Sequence, residues 1–250
     1  MKTIFKTDCG KLRDHNEDNG GIFTREGRTL ALVVDGMGGH NAGDVASALA
    51  LKVVATEWDS HPELQESHQV ITWLENTVAL ANKKIYEKAQ SEEACKGMGT
   101  TLVAAFCDDT QVIVANIGDS RCYFLPEQGE IIQVTEDDSL VNELVKAGQL
   151  SKEDADDHPK KNVITKAIGT MPQVECEIQQ LSWSKGDRLL LCSDGLSNLV
   201  NENDLSHILR NTLSMEEKAE ELVRLANEAG GDDNITLTIV EHGGDDGESK

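Results

Sequence analysis

Thr29 to Ala50 reads TLALVVDGMGGHNAGDVASALA. A five-residue apolar run, Leu30 to Val34, stops at Asp35. Three glycines follow within four residues (Gly36, Gly38, Gly39), and then a helical pattern begins. The run predicts a buried strand, and the glycines predict backbone that bends sharply or approaches something closely. A carboxylate at the mouth of a buried strand is costly unless something pairs with it. Strand, glycine-rich turn and helix also open a dinucleotide-binding unit, but its G-x-G-x-x-G fingerprint fails here. Counting from Gly36, the sixth position is Asn41, and Asp35 stands where a pyrophosphate would sit. No G-x-x-x-x-G-K-[ST] loop occurs in the chain.

On the amino-terminal side, Lys2 to Thr7 and Gly20 to Thr24 read as short strands around the acidic loop RDHNEDN, Arg13 to Asn19. That loop nearly matches a calcium-binding EF-hand, with Asp14, Asn16 and Asp18 at alternate positions. Asn19 replaces the turn glycine and Arg25 stands at the twelfth position in place of Glu, so an EF-hand is rejected. The Arg-Glu-Gly-Arg turn at Arg25 to Arg28 predicts a hairpin into the central strand.

On the carboxyl-terminal side, apolar residues at helical spacing predict one helix from Ala42 to about Trp58 and a second through Ile71, Leu74, Val78, Ala81 and Ile85. Thr101 to Cys107, Gln111 to Ile117, Arg121 to Leu125 and Glu130 to Val134 read as consecutive strands of an antiparallel sheet. Asp138 to Ala147 reads as helix, followed by a polar excursion to Lys161. Strands return at Val174 to Gln180 and Asp187 to Cys192. Two helices follow, Asn203 to Asn211 and Met215 to Ala229, and then a last strand from Ile235 to Val240. No linker or internal repeat divides the chain. Residues 1–242 read as one domain, and 243–250, GGDDGESK, as a disordered tail.

The 250 residues carry 45 acidic and 23 basic side chains, a net charge of −22. Such a surface repels nucleic acid and anionic membrane. Aromatics make up 4%, so the core rests on Leu, Val, Ile and Ala. No apolar run is long enough for a signal peptide or a membrane span. Six scattered cysteines without a C-x-x-C read as free thiols of a reducing cytoplasm.

Four aspartates mark junctions between an apolar strand and a turn: Asp35 after LALVV, Asp119 past VIVANI, Asp194 after LLLCS, and Asp233 before ITLTIV. Any one alone is an ordinary Asp-Gly turn. Four together, with Glu17 and Asp18, would repel at a common rim unless cations lay between them. Oxygen ligands without a His or Cys cluster favour Mg²⁺ or Mn²⁺ over Zn²⁺. Two such ions bridged by a carboxylate can lower the pKa of a shared water and stabilise both oxygens of an in-line phosphoryl displacement. Arg13 is placed to clamp a phosphate. No cysteine has an arginine six positions on, so the nucleophile would be water and not a thiolate.

At this point the chain resembles the metal-dependent Ser/Thr protein phosphatases of the 2C type in their compact bacterial form. The ordered motifs are RDHNED (Arg13 to Asp18), VVDGMGGHNAG (Val33 to Gly43), GTT (Gly99 to Thr101), NIGDSR (Asn116 to Arg121), ITKAIG (Ile164 to Gly169), CSDGL (Cys192 to Leu196) and DDNIT (Asp232 to Thr236). The resemblance implies an α+β fold, a four-layer αββα sandwich of two antiparallel sheets with helices outside. It also implies a two-ion Mn²⁺ or Mg²⁺ site bridged by Asp35. The Gly36 carbonyl would complete one ion's shell, and Asp194 and Asp233 the other's. Asp119 matches a third-metal ligand, Glu17 and Asp18 an outer shell, and Arg13 a phosphate binder. The segment at about 141–161 matches a flap that influences substrate choice. Relatives in eukaryotes carry a histidine where this chain has Met37, so His40, three residues on, is the candidate leaving-group acid, with a metal-bound water as the alternative. The implied activity is hydrolysis of phosphoserine and phosphothreonine without a phosphoenzyme, by a cytoplasmic monomer acting on a Ser/Thr kinase or its substrates. Kinase signalling and control of a secretion system both remain open. A non-catalytic phosphoprotein binder would predict damaged ligands, and all are intact. A small-phosphoester hydrolase is distinguished only by the groove around the site.

Overall fold

Arg28–Val34 forms the strand that the opening stretch predicts, and its side chains alternate between two apolar surfaces. Leu30, Leu32 and Val34 enter one core, and Ala31 and Val33 enter another. A strand buried on both faces needs a packed layer on each side, and the rest of the chain supplies them. The computed structural model describes residues 1–38, 42–151, 154–155 and 158–243. Its strands are β1 (Lys2–Asp8), β2 (Asn19–Arg25), β3 (Arg28–Val34), β4 (Gly36–Met37), β5 (Gly99–Thr100), β6 (Leu102–Cys107), β7 (Gln111–Ile117), β8 (Arg121–Leu125), β9 (Ile132–Gln133), β10 (Glu177–Ser182), β11 (Arg188–Cys192) and β12 (Ile235–Glu241). Its helices are α1 (Ala42–Ser60), α2 (Ser67–Ser91), α3 (Leu140–Lys146), α4 (Asp194–Ser197), α5 (Glu202–Arg210) and α6 (Met215–Ala229).

Two five-stranded antiparallel sheets stack face to face, one ordered β1-β12-β11-β8-β9 and the other β10-β7-β6-β3-β2. Period-two alternation sorts the side chains into three cores. Ala31, Val33, Val103 and Val114 of one sheet meet Leu189, Leu191 and Val240 of the other between the sheets. Leu30, Leu32, Phe106 and Ile113 pack outward on α1 and α2. Leu190, Leu237 and Ile239 pack outward on α5 and α6. Each fully buried Leu, Ile, Val or Phe contributes about 1.5–3 kcal/mol by leaving water. The result is the four-layer αββα sandwich expected from the sequence.

Local signals act where they were read. Glu26 (φ 48°) and Gly27 (φ 78°) form the two-residue turn that closes β2 on β3, the left-handed geometry favoured in hairpins. Ser214 and Glu217, to which the sequence reading assigned no role, form a capping box that starts α6. All six cysteines are free, and burial pushes the Cys192 thiol up to about 12. Among the described residues no helix is long and apolar enough to cross a membrane.

The fold departs from the sequence expectation at one crossing and at several boundaries, among them the strand expected at Glu130 to Val134, of which only Ile132–Gln133 pairs. The turn after β7 does not return to the same sheet: β7 pairs with β6 and β10, whereas β8 pairs with β11 and β9. Gly118 makes this crossing at φ +100°, and its N–H and C=O are both tied to Asp138, at 3.1 Å (to Oδ2) and 2.9 Å (to the N–H). Strand β10 begins at Glu177 rather than Val174, because Asn82 of α2 holds the preceding loop through the Met171 and Pro172 carbonyls. Helix α3 begins at Leu140 because the Ser139 hydroxyl accepts from the Asn142 N–H at 3.3 Å and caps it.

A Cβ on Gly118 would lie 2.6 Å from Thr101 Cγ2, in a backbone conformation that L side chains avoid. Left-handed strain of about 1–2 kcal/mol and overpacking of about 1–3 kcal/mol add in Gly118→Ala. Urea denaturation should therefore show a loss of roughly 2–4 kcal/mol relative to the parent. A change below about 0.5 kcal/mol, the size of an ordinary surface substitution, would refute the crossing geometry.

Candidate metal centre

Strand register brings the predicted residues to one rim. In the first sheet, Asp8 pairs with Ile235 and Cys192 with Leu237, so the end of β11 and the start of β12 lie side by side. In the second, Asn19 pairs with Val34 and Leu102 with Ile117. Glu17 and Asp18 precede β2, Asp35 follows β3, Asp119 follows β7, Asp194 opens α4 just past β11, and Asp233 precedes β12.

Hydrogen bonds to the backbone and to neighbouring side chains hold the rim together. The Asp35 N–H donates to Thr101 Oγ1 at 3.0 Å, while its carbonyl accepts from the Thr100 hydroxyl and the Thr101 N–H, both at 2.8 Å. Thr101 Oγ1 lies 2.7 Å from Ser120 Oγ, next to Asp119. The Ser193 hydroxyl donates to Asp18 Oδ2 at 2.7 Å and accepts from the Thr236 N–H at 3.0 Å. Asn234 receives the Glu17 N–H and donates to the Cys9 and His15 carbonyls, stapling the acidic loop to the start of β12. Asp194 Oδ2 accepts from Asn198 Nδ2 at 3.0 Å. Arg13 Nη2 donates to Asp233 Oδ2 at 2.8 Å, and Arg13 Nε donates to the Asp232 carbonyl at 3.3 Å.

The glycines of the opening stretch serve close approach. A Cβ on Gly36 would stand 2.2 Å from the Gly43 carbonyl oxygen and 2.6 Å from that of Glu17. Only glycine lets the acidic loop, β4 and the start of α1 meet beside Asp35.

The electrostatic consequence is a set of carboxyls reluctant to ionise. Burial, then the neighbouring Asp18, Asp194, Asp119 and Asp233 charges, raise Asp35 well above the carboxylate range. Burial is also the first cause at Asp119, pushed up to about 8 with help from Asp194, and at Asp18, pushed up to about 7. Asp194 rises to about 6 by burial and the Asp233 charge, although its carboxyl is close enough to Asp35 to share a proton. Burial raises Glu17 as well.

Asp119 Oδ1 and Asp194 Oδ1 are buried without a hydrogen-bond partner among the described residues. Orphaned carboxylate oxygens of this kind call for a cation or water. Among the described residues, no three acidic, His or Cys side chains converge into a ready-made cage. This donor set suits a hard divalent ion that keeps several waters and takes a few carboxylates, and it does not suit zinc. The residues present therefore fit the group. A cleft of about 930 Å³ runs from Asp119 and Asp194 past Arg121, Asn142, Lys146 and Asn198, under α3 and the segment that follows it.

Arg13, Glu17, Asp18, Asp35, Gly36, Asp119, Asp194 and Asp233 thus all stand at or beside the rim. His40 lies outside the described residues, as do 152–153 and 156–157 of the flap segment and the 244–250 tail. Sequence reasoning assigned no role to Ser120, Ser193 or Asn234. Each is adjacent to a site aspartate, but adjacency did not say that its side chain would turn back to hold the rim.

The family model described as Protein phosphatase 2C matches residues 11–228. The chain belongs to the protein phosphatase 2C family. Its similarity to the serine/threonine phosphatase stp of Listeria monocytogenes is 45% identity over 243 residues, covering 96% of each chain. The structure of the S. agalactiae serine/threonine phosphatase superposes with a TM-score of 0.90 at 38% identity, over 95% of this chain and 98% of that one. The catalytic domain of the serine threonine protein phosphatase PstP, in complex with two manganese ions, superposes with a TM-score of 0.83 at 33% identity, over 96% and 98%. Metal dependence is a property of the 2C family.

A carboxyl whose pKa is higher in the folded chain than in the unfolded one binds more protons when folded, between the two values. The contributions of Asp194, Asp18 and Asp119 are therefore fully present below about pH 4 and are lost as pH rises through about 6, 7 and 8. Divalent ions bind the ionised forms and oppose this loss. The rise in melting midpoint on adding Mn²⁺ should be larger at pH 8 than at pH 5, and Asp194→Asn should shrink it. Equal increments at both pH values would contradict this reading of the rim.

Proposed function

We propose that this chain hydrolyses phosphoserine and phosphothreonine in phosphorylated proteins, using two Mn²⁺ or Mg²⁺ ions, with a site for a third at Asp119. The observation that carries the reading is the pair of orphaned, buried carboxylate oxygens on Asp119 and Asp194 beside an exposed arginine. Asp35 would lie between the two ions, with the Gly36 carbonyl on one and Asp194 and Asp233 on the other. Asp119 would serve the third. Glu17 and Asp18 would act from the outer shell, and the bond from Ser193 to Asp18 suits that role because it leaves fewer Asp18 lone pairs free. When bound, such ions lower the pKa of water and neutralise charge developing on a phosphoryl group.

The chain's own residues do the positioning. Arg13 is half exposed and tethered by only one side of its guanidinium fork, so its remaining N–H groups are available to two phosphate oxygens. Thr100 and Thr101 hold the Asp35 main chain from both its N–H and its C=O, which fixes the carboxylate's aim. The 930 Å³ cleft, with its amide and charged lining, has room for a polypeptide segment on one side of the phosphate. Its natural partners would be a Ser/Thr kinase or that kinase's substrates. Val141, Asn142, Val145, Lys146, Ala155 and Lys161 of the flap segment line the cleft.

Phosphate release from a phosphothreonine peptide should require Mn²⁺ or Mg²⁺, stop with EDTA, and fall by roughly 100-fold or more in Asp194→Asn. Arg13→Ala should raise KM about tenfold while moving kcat less. Faster turnover of a nucleotide monophosphate than of the peptide would move the assignment to small phosphate esters. No release from phosphothreonine or phosphoserine peptides with either metal would leave a phosphoprotein-binding protein.

A further inference from the structure

Asp119 depends on its main chain for its aim. It lines the cleft and is 7% exposed, and its Oδ1 has no partner among the described residues. By contrast, the carboxyls of Asp18, Asp194 and Asp233 accept directly from Ser193, Asn198 and Arg13. The residue before Asp119 is Gly118, at φ +100°. Glycine has little preference of its own among such conformations, so bonds from outside must hold it.

Those bonds grip the turn on both sides of Asp119. On one side, the Gly118 N–H donates to Asp138 Oδ2 at 3.1 Å, and the Gly118 carbonyl accepts from the Asp138 N–H at 2.9 Å. That carbonyl belongs to the planar peptide unit that leads into Asp119. On the other side, Ser120 Oγ lies 2.7 Å from Thr101 Oγ1, and the Arg121 guanidinium donates to both Asp137 oxygens at 2.6 to 3.1 Å. Two consecutive residues, Asp137 and Asp138, thus bracket Asp119.

The bracket is anchored in turn. Asp138 Oδ1 accepts from Lys166 Nζ at 2.7 Å, and the Asp138 carbonyl accepts from the Thr165 N–H at 2.7 Å. The Asp137 carbonyl accepts from Asn142 Nδ2 at 2.8 Å, and Ser139, the next residue, caps α3. Among the described residues Asp138 bonds none of Asp35, Asp194 and Asp233. Its reach at the rim is confined to the Asp119 turn.

We propose that Asp138 is a positioning residue for the ion at Asp119. Its carboxylate and its N–H hold Gly118 in the orientation that sends the Asp119 carboxylate into the cleft. This rests on Asp119 serving the third ion of the proposed site. Partners one step behind a metal ligand govern affinity through the ligand's orientation. The same bonds make Asp119 and the start of α3 parts of one unit.

The test counts Mn²⁺ bound to the full chain by water-proton relaxation, with Mn²⁺ as the only added ligand. The parent should show a weak class of sites that Asp119→Asn removes. Asp138→Ala should weaken that class by roughly 10-fold or more and leave the tighter sites within about twofold. Asp138→Asn keeps an uncharged oxygen for the Gly118 N–H and should weaken the class by about threefold. It carries the test if the alanine variant does not fold. A merely structural role for Asp138 would lower the affinity of tight and weak sites alike. That outcome, or a weak class unchanged in both variants, would overturn the proposal and leave the two-ion reading standing. A parent with no class that Asp119→Asn removes would overturn the third-ion assignment and this inference with it.

Discussion

Like charges at the rim set the terms for the rest of the molecule. Asp18, Asp35, Asp119 and Asp194 come from different strand ends of two sheets, and the pKa of each is raised first by burial and then by the carboxylates around it. Left to themselves, these strand ends would splay or protonate. The chain answers with bonds to the backbone beneath them: Thr100 and Thr101 on the Asp35 peptide, Ser193 between Asp18 and Thr236, and Asn234 across the acidic loop. Burying these hydroxyls and amides is tolerated because each finds a partner. Together they convert a repulsive cluster into a fixed one, as a site that must bind without rearranging requires.

A rim of this kind costs stability, and the three cores offset it. The fully buried rows on β3, β6 and β7 alternate between the inter-sheet core and the α1–α2 core, so each residue added to these strands strengthens one of the two. The same alternation fixes register. A one-residue slip would put Ala31 and Val33 where Leu30 and Leu32 belong, and would move Asp35 away from Thr101. Packing and site geometry are therefore one constraint: the pattern that buries the strands also aims the aspartates.

This coupling explains what could be read from the chain alone. The hairpin at Glu26–Gly27, the free thiols and the strand-end position of each aspartate follow from local pattern, because periodicity and turn chemistry are local properties, whereas the sandwich followed from the resemblance that the ordered motifs carry. The change of sheet at Gly118 was not legible, since Gly-Asp-Ser is as compatible with a hairpin as with a crossing. The difference lies in Asp138, twenty residues on, which ties both Gly118 backbone groups. Ser120, Ser193 and Asn234 were overlooked for the same reason: their partners, Thr101, Asp18 and the Cys9 and His15 carbonyls, are brought near only by the stacked sheets. Short-range residue order carried the ligands, and long-range pairing carried their supports.

The net charge of −22 gains a meaning from this arrangement. A phosphorylated substrate is itself an anion, and an acidic surface repels it everywhere except where positive charge is concentrated. Arg13 is paired with Asp233, Arg121 is held by Asp137 in a bidentate pair, and Lys166 and Lys146 are matched to Asp138 and Glu136. Of the cations that line the cleft, Arg121 and Lys146 are therefore compensated, and Lys161 is the one that is not matched to a carboxylate among the described residues. Divalent ions at the rim would add positive charge beside Arg13 and Lys161, so binding of a phosphoryl group would strengthen with their presence. On this view the acidic surface is a device of specificity. It disfavours loose association of anions across the molecule and leaves attraction to one place, where the carboxylates that repel one another in the bare chain would hold the charge that attracts substrate.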